Sequence, residues 1–295
     1  MAARILDGKS LAADLRAEVA AAVAEWQAAT GRAPGLAVVL VGDDPASRSY
    51  VTAKEKACAA AGIRSREIQL PASAAKADVL AAVRALNADD AVDGILVQLP
   101  LPEAAIEREV IEAVDPAKDV DGFHPTNVGR MVLGLPAFVP CTPAGVVELL
   151  RRAGVALAGA SVVVIGRSQI VGRPLSILLS QKGVDATVTL CHTRTRDLAR
   201  FTRAADVVVV AAGRPGTLTA DMVKPGAVVI DVGVNRVPDA SKATGYRLAG
   251  DVDFAAVAEK AAAITPVPGG VGPLTIAMLL KNTLEAARRR RGAGA

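Results

Sequence analysis

The chain has 295 residues, of which 52% are hydrophobic, 22% charged and only 2% aromatic, with one Trp, two Tyr and four Phe. That length suits two domains with cores of Ala, Val, Leu and Ile, and the composition excludes both a disordered chain and a stacking platform for single-stranded nucleic acid. The net charge of +4 comes from Arg288, Arg289, Arg290 and Arg291, so the RRRRGAGA tail is expected to be solvated and frayed rather than to mark an acidic partner.

Short apolar runs alternate with longer amphipathic ones, the pattern of βα units around a parallel sheet. Leu36–Val41 predicts a buried strand stopped by Gly42-Asp43-Asp44-Pro45, and a helix follows over Ala46–Ala61 until Gly62. Ala75–Ala88 predicts an alanine-rich helix, and Ile95–Leu99 a strand broken by Pro100-Leu101-Pro102. Asp115–Gly134 is rich in Pro, Gly, Asp and Asn and reads as a long irregular stretch. A second series opens with Thr142 as a cap and Pro143 at the first position of a helix running to Ala153. Strands are predicted at Ser161–Ile165, Ala186–Leu190, Val207–Ala211 and Ala227–Asp231. After Pro266-Val267-Pro268-Gly269-Gly270, a last helix is expected over Pro273–Ala287. The change of pattern near residue 145 places a domain boundary there.

Charged residues follow one another closely at Arg4, Asp7, Lys9, Asp14, Arg16 and Glu18, which leaves no signal-peptide apolar region. Apolar runs such as Val207–Ala212 are too short to span a membrane, so a cytoplasmic protein is expected. The two histidines and the widely spaced Cys58, Cys141 and Cys191 form neither CxxC nor HExxH, which argues against a metal site. No GxSxG elbow is present, and the cysteines read as small buried hydrophobes of a reducing compartment.

Ser161–Ile165 leads directly into Gly166-Arg167-Ser168-Gln169-Ile170-Val171-Gly172. A glycine straight after a strand lets backbone N–H groups approach a pyrophosphate at a helix start, although Ser168 replaces the second glycine of GxGxxG and Gly172 comes late. The next strand ends in Cys191-His192-Thr193-Arg194-Thr195, without the acid that holds the ribose of NAD. Arg167, Thr193 and Arg194 suit a 2′-phosphate instead, which favours NADP. Glycine turns at Gly213-Arg214-Pro215-Gly216 and Asp231-Val232-Gly233-Val234-Asn235 fall at strand ends on the same side, and the backbone at Val234 is a candidate nicotinamide contact.

Tyr50 and Lys54 lie four apart on one predicted helix and share a face. Tyr50 can stack a flat heterocycle, and Lys54 can serve as acid or base where apolar surroundings lower its pKa. Equally, the pair can be a packed tyrosine beside a snorkelling surface lysine. Gln98 is placed to reach Lys54, and a neutral amide orients a lysine without holding it charged. Asp121, within Asp119-Val120-Asp121-Gly122-Phe123-His124-Pro125, can accept two hydrogen bonds from an aminopyrimidine edge.

These residues resemble the bifunctional methylenetetrahydrofolate dehydrogenase/methenyltetrahydrofolate cyclohydrolase family over nearly the whole chain. The resemblance is carried by VGDDPASRSYVTAKEKACAAAGI at 41–63, DGILVQLPLP at 93–102 and KDVDGFHPTNVGR at 118–130. It continues through PCTPAG at 140–145, VVVIGRSQIVGRP at 162–174, VIDVGVN at 229–235 and ITPVPGGVGPLT at 264–275. It implies an α/β protein of two domains: a folate-binding catalytic domain over 1–145, completed by a returning C-terminal helix within 272–295, and a Rossmann-like parallel-sheet NADP domain over 146–271. By the same resemblance, Lys54 assists proton transfer and water activation, Gln98 places Lys54, Tyr50 packs on the folate and Asp121 anchors the pterin. Gly166, Arg167 and Ser168 match the nucleotide loop, with Thr193 where many members carry serine and Val234 where many carry isoleucine. The resemblance further implies a cytoplasmic homodimer in one-carbon metabolism that feeds purine biosynthesis, with no metal, nucleic-acid or membrane partner.

Two other readings compete. A hydroxy- or amino-acid dehydrogenase would need an acid–base residue beside the nicotinamide, for which His192 is the nearest histidine. A nucleotide-sensing scaffold would have no use for Tyr50, Lys54 and Gln98 together.

Overall fold

The computed structural model describes residues 2–242 and 245–292. In chain order its elements are β1 (Arg4–Ile5), α1 (Gly8–Thr30), β2 (Gly35–Val41), α2 (Pro45–Ala60), β3 (Arg64–Leu70), α3 (Lys76–Ala88) and β4 (Gly94–Val97). Three helices follow: α4 (Glu107–Ala113), α5 (Pro125–Val132) and α6 (Cys141–Arg152). Then come β5 (Ser161–Ile165), α7 (Gly172–Ser180), β6 (Thr187–Cys191), α8 (Leu198–Thr202), β7 (Val207–Val210), β8 (Val228–Asp231), β9 (Asn235–Pro238) and β10 (Tyr246–Ala249). The chain closes with α9 (Phe254–Ala258), β11 (Ala263–Ile264) and α10 (Gly272–Arg291). Contacts divide these into two compact units. One takes Ala13–Cys141 with the residues from Ile276 onward, and the other takes Thr142–Thr275 with the residues up to Ala12.

The first unit is built on a parallel sheet in the order β3-β2-β4. All seven residues of β2 are buried, as a continuous apolar run in a central parallel strand requires. Val39, Val79, Val83, Ile95, Val97 and Val110 form much of the core between this sheet and its helices. Asp44 caps α2 by accepting from the Ser47 N–H at 2.8 Å, and Pro45 occupies the first turn, where no backbone donor is needed. The fully buried Lys118 donates to the carbonyls of Leu86, Asn87 and Asp89 at 2.7–3.0 Å, placing a cation on the open carbonyl end of α3.

The second unit holds a six-stranded, wholly parallel sheet in the order β1-β11-β8-β7-β5-β6. Successive strands run outward from β5 to β6, and the chain then crosses back to β7 on the opposite side of β5. That reversal makes the β5/β7 boundary the topological switch point, beyond whose carboxyl ends α/β sheets bind ligands. Val163, Val208, Val210, Val229 and Ile264 lie in the core of this unit. A separate antiparallel pair, β9 with β10, lies outside the sheet.

Several elements differ from the sequence expectation. The stretch Asp115–Gly134 contains α5, capped by His124, whose Nδ1 accepts from the Thr126 N–H at 3.0 Å, with Pro125 in its first turn. Helix α6 begins at Cys141 rather than after Thr142, and Pro143 fits within the first turn because its absent N–H would have no intrahelical partner there. The strand after α3 ends at Val97, and a cis Leu99–Pro100 peptide follows Gln98.

The arginine tail is ordered helix as far as Arg291, contrary to the expectation of a solvated end; residues 293–295 lie outside the described residues. Arg291 donates to the fully buried Asp93 at 2.6 Å and Arg290 at 3.1 Å, and Asp93 also accepts from the Gly35 N–H at 2.9 Å. Arg289 lies over the Phe138 ring, 4.6 Å from its centroid. The returning C-terminal helix is thus tied by ion pairs to the entrance of β4 and β2.

Candidate active site

Lys54 sits on α2, in the connection that leaves β2, and Gln98 follows β4 directly. The Lys54 ammonium donates to Gln98 Oε1 at 2.8 Å, and the lysine is buried at 7% exposure. Gln98 is held on both sides. Its backbone N–H bonds to Val39 O at 2.9 Å, and its Nε2 donates to Leu99 O at 2.7 Å. With its amide nitrogen committed, only the amide oxygen can face Lys54. Desolvation lowers the Lys54 pKa below the ordinary lysine value, opposed by Asp121. A neutral amide, unlike a carboxylate, does not oppose that shift, so the uncharged amine is easier to reach here than in water. Tyr50, one turn earlier on α2, is 44% exposed and presents its ring at the surface.

Asp121 lies in the segment between β4 and α5. Burial raises its pKa to about 6; the nearby Lys54 pulls it down and Asp119 pushes it up. The two aspartates differ in use. Asp119 is consumed by the fold: its carboxylate accepts from the N–H groups of Gly122, Phe123 and His124 and from Asn127 Nδ2, at 2.8–3.2 Å. Gly122, with φ of +74°, packs so closely on the Val139–Pro140 backbone that a Cβ there would sit 2.5 Å from Val139 C. Cys141 joins this group, its thiol pointing to Val120 O at 3.5 Å, and burial first, then Asp121, raises its pKa. It stays a thiol and supplies no nucleophile. Asn282 on α10 donates to Val120 O at 2.9 Å and Val139 O at 3.3 Å, which fixes the strands of chain either side of Asp121 and Cys141. Neither Cys141 nor Asn282 stood out by residue type; the signal for Cys141 was its place in the PCTPAG block.

In the parallel-sheet unit, the turn after β5 shows why its glycines are spaced unlike GxGxxG. Gly166, at φ +121°, lies against Ala211 O, which a Cβ would approach to 2.1 Å. Gly172 opens α7 directly against Gly166 O, which a Cβ would approach to 1.9 Å. The late glycine therefore lets the helix start fold back on the turn. Ser168 Oγ accepts from the Val171 and Gly172 N–H groups at 3.1 and 3.4 Å, so its hydroxyl closes the turn. Arg167 and Thr193 are exposed, and Val234 is 49% exposed. His192 Nδ1 accepts from the Arg194 N–H at 3.1 Å, shaping the turn after β6. That turn follows an edge strand, away from the loops after β7 and β8, which removes the position the hydroxy-acid dehydrogenase reading needed.

Two buried carboxylates that composition did not reveal join the loops after β7 and β8. Asp251 Oδ2 accepts from the Ala212 and Gly213 N–H groups at 2.7 and 2.8 Å, and its Oδ1 accepts from Asn235 Nδ2 at 2.8 Å. Asp231 accepts from the N–H groups of Gly233, Asp251 and Val252 at 2.9–3.0 Å. Burial raises the Asp231 pKa to about 6 against these hydrogen bonds. The signal in the sequence was the adjoining glycines, since a Cβ on Gly233 would meet Asp251 Oδ1 at 2.2 Å and one on Gly250 would meet Asp231 Oδ2 at 1.8 Å. Among the described residues, no three His, Cys, Asp or Glu side chains gather as metal ligands.

The model of the tetrahydrofolate dehydrogenase/cyclohydrolase catalytic domain matches residues 6–121, and that of the NAD(P)-binding domain of the same family matches residues 140–291. The bifunctional protein FolD of Geotalea uraniireducens is 56% identical over 288 residues, covering 98% of this chain and 100% of that protein. Among solved structures, the bifunctional FolD methylenetetrahydrofolate dehydrogenase/cyclohydrolase of Campylobacter jejuni superposes with a TM-score of 0.92 at 47% identity, over 98% of this chain and 100% of that one. The Trypanosoma brucei methylenetetrahydrofolate dehydrogenase-cyclohydrolase, solved with NADP cofactor and inhibitor, gives a TM-score of 0.94 at 43% identity, over 98% and 99% of the two chains.

Proposed function

The chain belongs to the tetrahydrofolate dehydrogenase/cyclohydrolase family, and on that premise we propose how its own residues serve the family's two reactions. The enzyme oxidises 5,10-methylenetetrahydrofolate to the 5,10-methenyl form with NADP⁺, then hydrolyses that product to 10-formyltetrahydrofolate. Bound NADP⁺ supplies the hydride acceptor. The parallel-sheet unit fits it: two glycines clear the turn at the switch point, and the end of β6 carries Thr193 with no carboxylate to repel a 2′-phosphate. Gly166, Arg167 and Ser168 form the phosphate turn, Arg167 and Thr193 hold the 2′-phosphate, and Val234 offers backbone to the nicotinamide. The protein acts as a cytoplasmic homodimer on a small folate; its three cysteines, all buried free thiols, suit a reducing compartment.

Hydrolysis turns on Lys54. Water adds to the electrophilic methenyl carbon and the neutral amine of Lys54 takes one of its protons. The Lys54 ammonium then gives that proton to N5 as the carbon–N5 bond breaks, and the remaining hydroxyl proton leaves to solvent as the formyl C=O forms on N10. Gln98 Oε1 holds the resulting ammonium without fixing it as a permanent ion pair. Asp121, ionised above about pH 6, accepts the pterin's N–H groups, and Tyr50 packs on the folate. The observation that carries this reading is the 2.8 Å contact between a buried lysine and an amide oxygen whose orientation is locked from behind.

The test measures NADP⁺ reduction and 10-formyl formation side by side in wild type and Lys54→Ala. Methenyl hydrolysis should fall by about 10²–10⁴-fold, the usual contribution of a general base. Hydrolysis retained at the wild-type rate would remove Lys54 from the mechanism. Equal rates with NAD⁺ and NADP⁺ would remove the 2′-phosphate role of Arg167 and Thr193.

A further inference from the structure

We infer that Asp251 is a positioning residue for the hydride-transfer half of the reaction, holding the loops after β7 and β8 in one arrangement as a nicotinamide-binding edge. The inference rests on the NADP-dependent reading above. Both loops lie at the carboxyl ends of adjacent central strands, where an α/β sheet presents its ligand crevice. Their outward parts are open: Gly213 and Arg214 are exposed and Val234 is 49% exposed. Their inward parts converge on one fully buried carboxylate. Asp251 Oδ2 takes two successive N–H groups of the first loop, and Oδ1 takes the Asn235 side chain at the end of the second.

The arrangement is made for a charge. Three N–H donors surround the carboxylate, and Gly233 leaves the space that Oδ1 fills, since a Cβ there would come within 2.2 Å of it. Behind it, Asp231 holds the Asp251 backbone N–H at 2.9 Å, so the anchor is itself anchored from the end of β8. A neutral amide in place of Asp251 turns one acceptor into a donor facing another donor, and the two loops lose their common point. Hydride transfer depends on ring placement within fractions of an ångström, so loosening this edge weakens nucleotide binding and transfer together. The Lys54–Gln98 cluster belongs to the other compact unit and uses none of these bonds.

The experiment compares wild type, Asp251→Asn and Asn235→Ala as full-length chains, using three readouts. These are NADP⁺ affinity by calorimetry, NADP⁺-dependent oxidation of methylenetetrahydrofolate, and nucleotide-free hydrolysis of methenyltetrahydrofolate. Asp251→Asn should weaken NADP⁺ binding at least tenfold and cut dehydrogenase kcat/KM by about a hundredfold, with hydrolysis within twofold of wild type. Asn235→Ala should move the same two quantities in the same direction by a smaller factor, and it decides the matter if Asp251→Asn does not fold. Unchanged NADP⁺ affinity, or parallel loss of both activities in a variant with a lowered Tm, overturns the inference. A wild-type chain that neither binds NADP⁺ nor oxidises the folate overturns the functional reading instead.

Discussion

Asp121 joins structure to pH most directly. Its pKa, raised to about 6, means that the folded chain still holds a proton that the unfolded chain has released between about pH 4 and 6. Stability contributed by this group therefore falls as pH rises through that window and is level above it. Function runs the other way, because the pterin anchor needs the carboxylate ionised. The KM for methenyltetrahydrofolate is expected to rise roughly tenfold between pH 7 and pH 5, and Asp121→Asn to flatten that dependence while raising KM throughout. Steady-state hydrolysis across pH checks both. Gly172 gives a second prediction at this scale. Its Cβ would meet backbone rather than a flexible side chain, so Gly172→Ala must shift the Gly166 turn. NADP⁺ affinity should drop by at least tenfold in calorimetric titration, with a stability cost of about 1–3 kcal/mol.

Among elements, the C-terminal helix departs furthest from what its sequence suggests. Four successive arginines after Ala287 read as a solvated tail, because a run of like charge carries no sign of its partner. The partner is Asp93, which precedes β4 and is far away in sequence, and its carboxylate is fully buried between Arg290 and Arg291. Removing both arginines leaves an uncompensated buried charge, so Arg290→Ala/Arg291→Ala should lose about 3–5 kcal/mol, read as a lower urea midpoint. Helix α5 was hidden for a local reason. Its cap is a histidine, an uncommon residue for that task, and Pro, Gly and Asn through the segment mask a single short turn sequence. The valine-rich strands β2, β5 and β7 were legible because a buried central strand is apolar at every position, whatever its partners. Tyr50, Lys54, Gln98 and Asp121 were legible as candidates by chemical type and spacing. The bond that orients Gln98 was not, because it depends on the backbone carbonyl beyond it.

In the whole molecule, the least legible strands are the two shortest. Arg4–Ile5 and Ala263–Ile264 are each two residues long, and half of the first, Arg4, is charged; yet they pair with each other, and β11 also pairs with β8, to finish the large sheet. This pairing sets an order on biosynthesis. Arg4 is made well before its partner Ala263, which follows roughly 13–50 s later at about 5–20 residues per second. The other compact unit also waits, since it needs the residues from Ile276 onward. Both units are therefore completed only late in translation, one when Thr275 has been made and the other only with the residues that follow. A nascent chain stalled before residue 263 carries an unpaired sheet edge and an unfilled core, and is a natural client for chaperones.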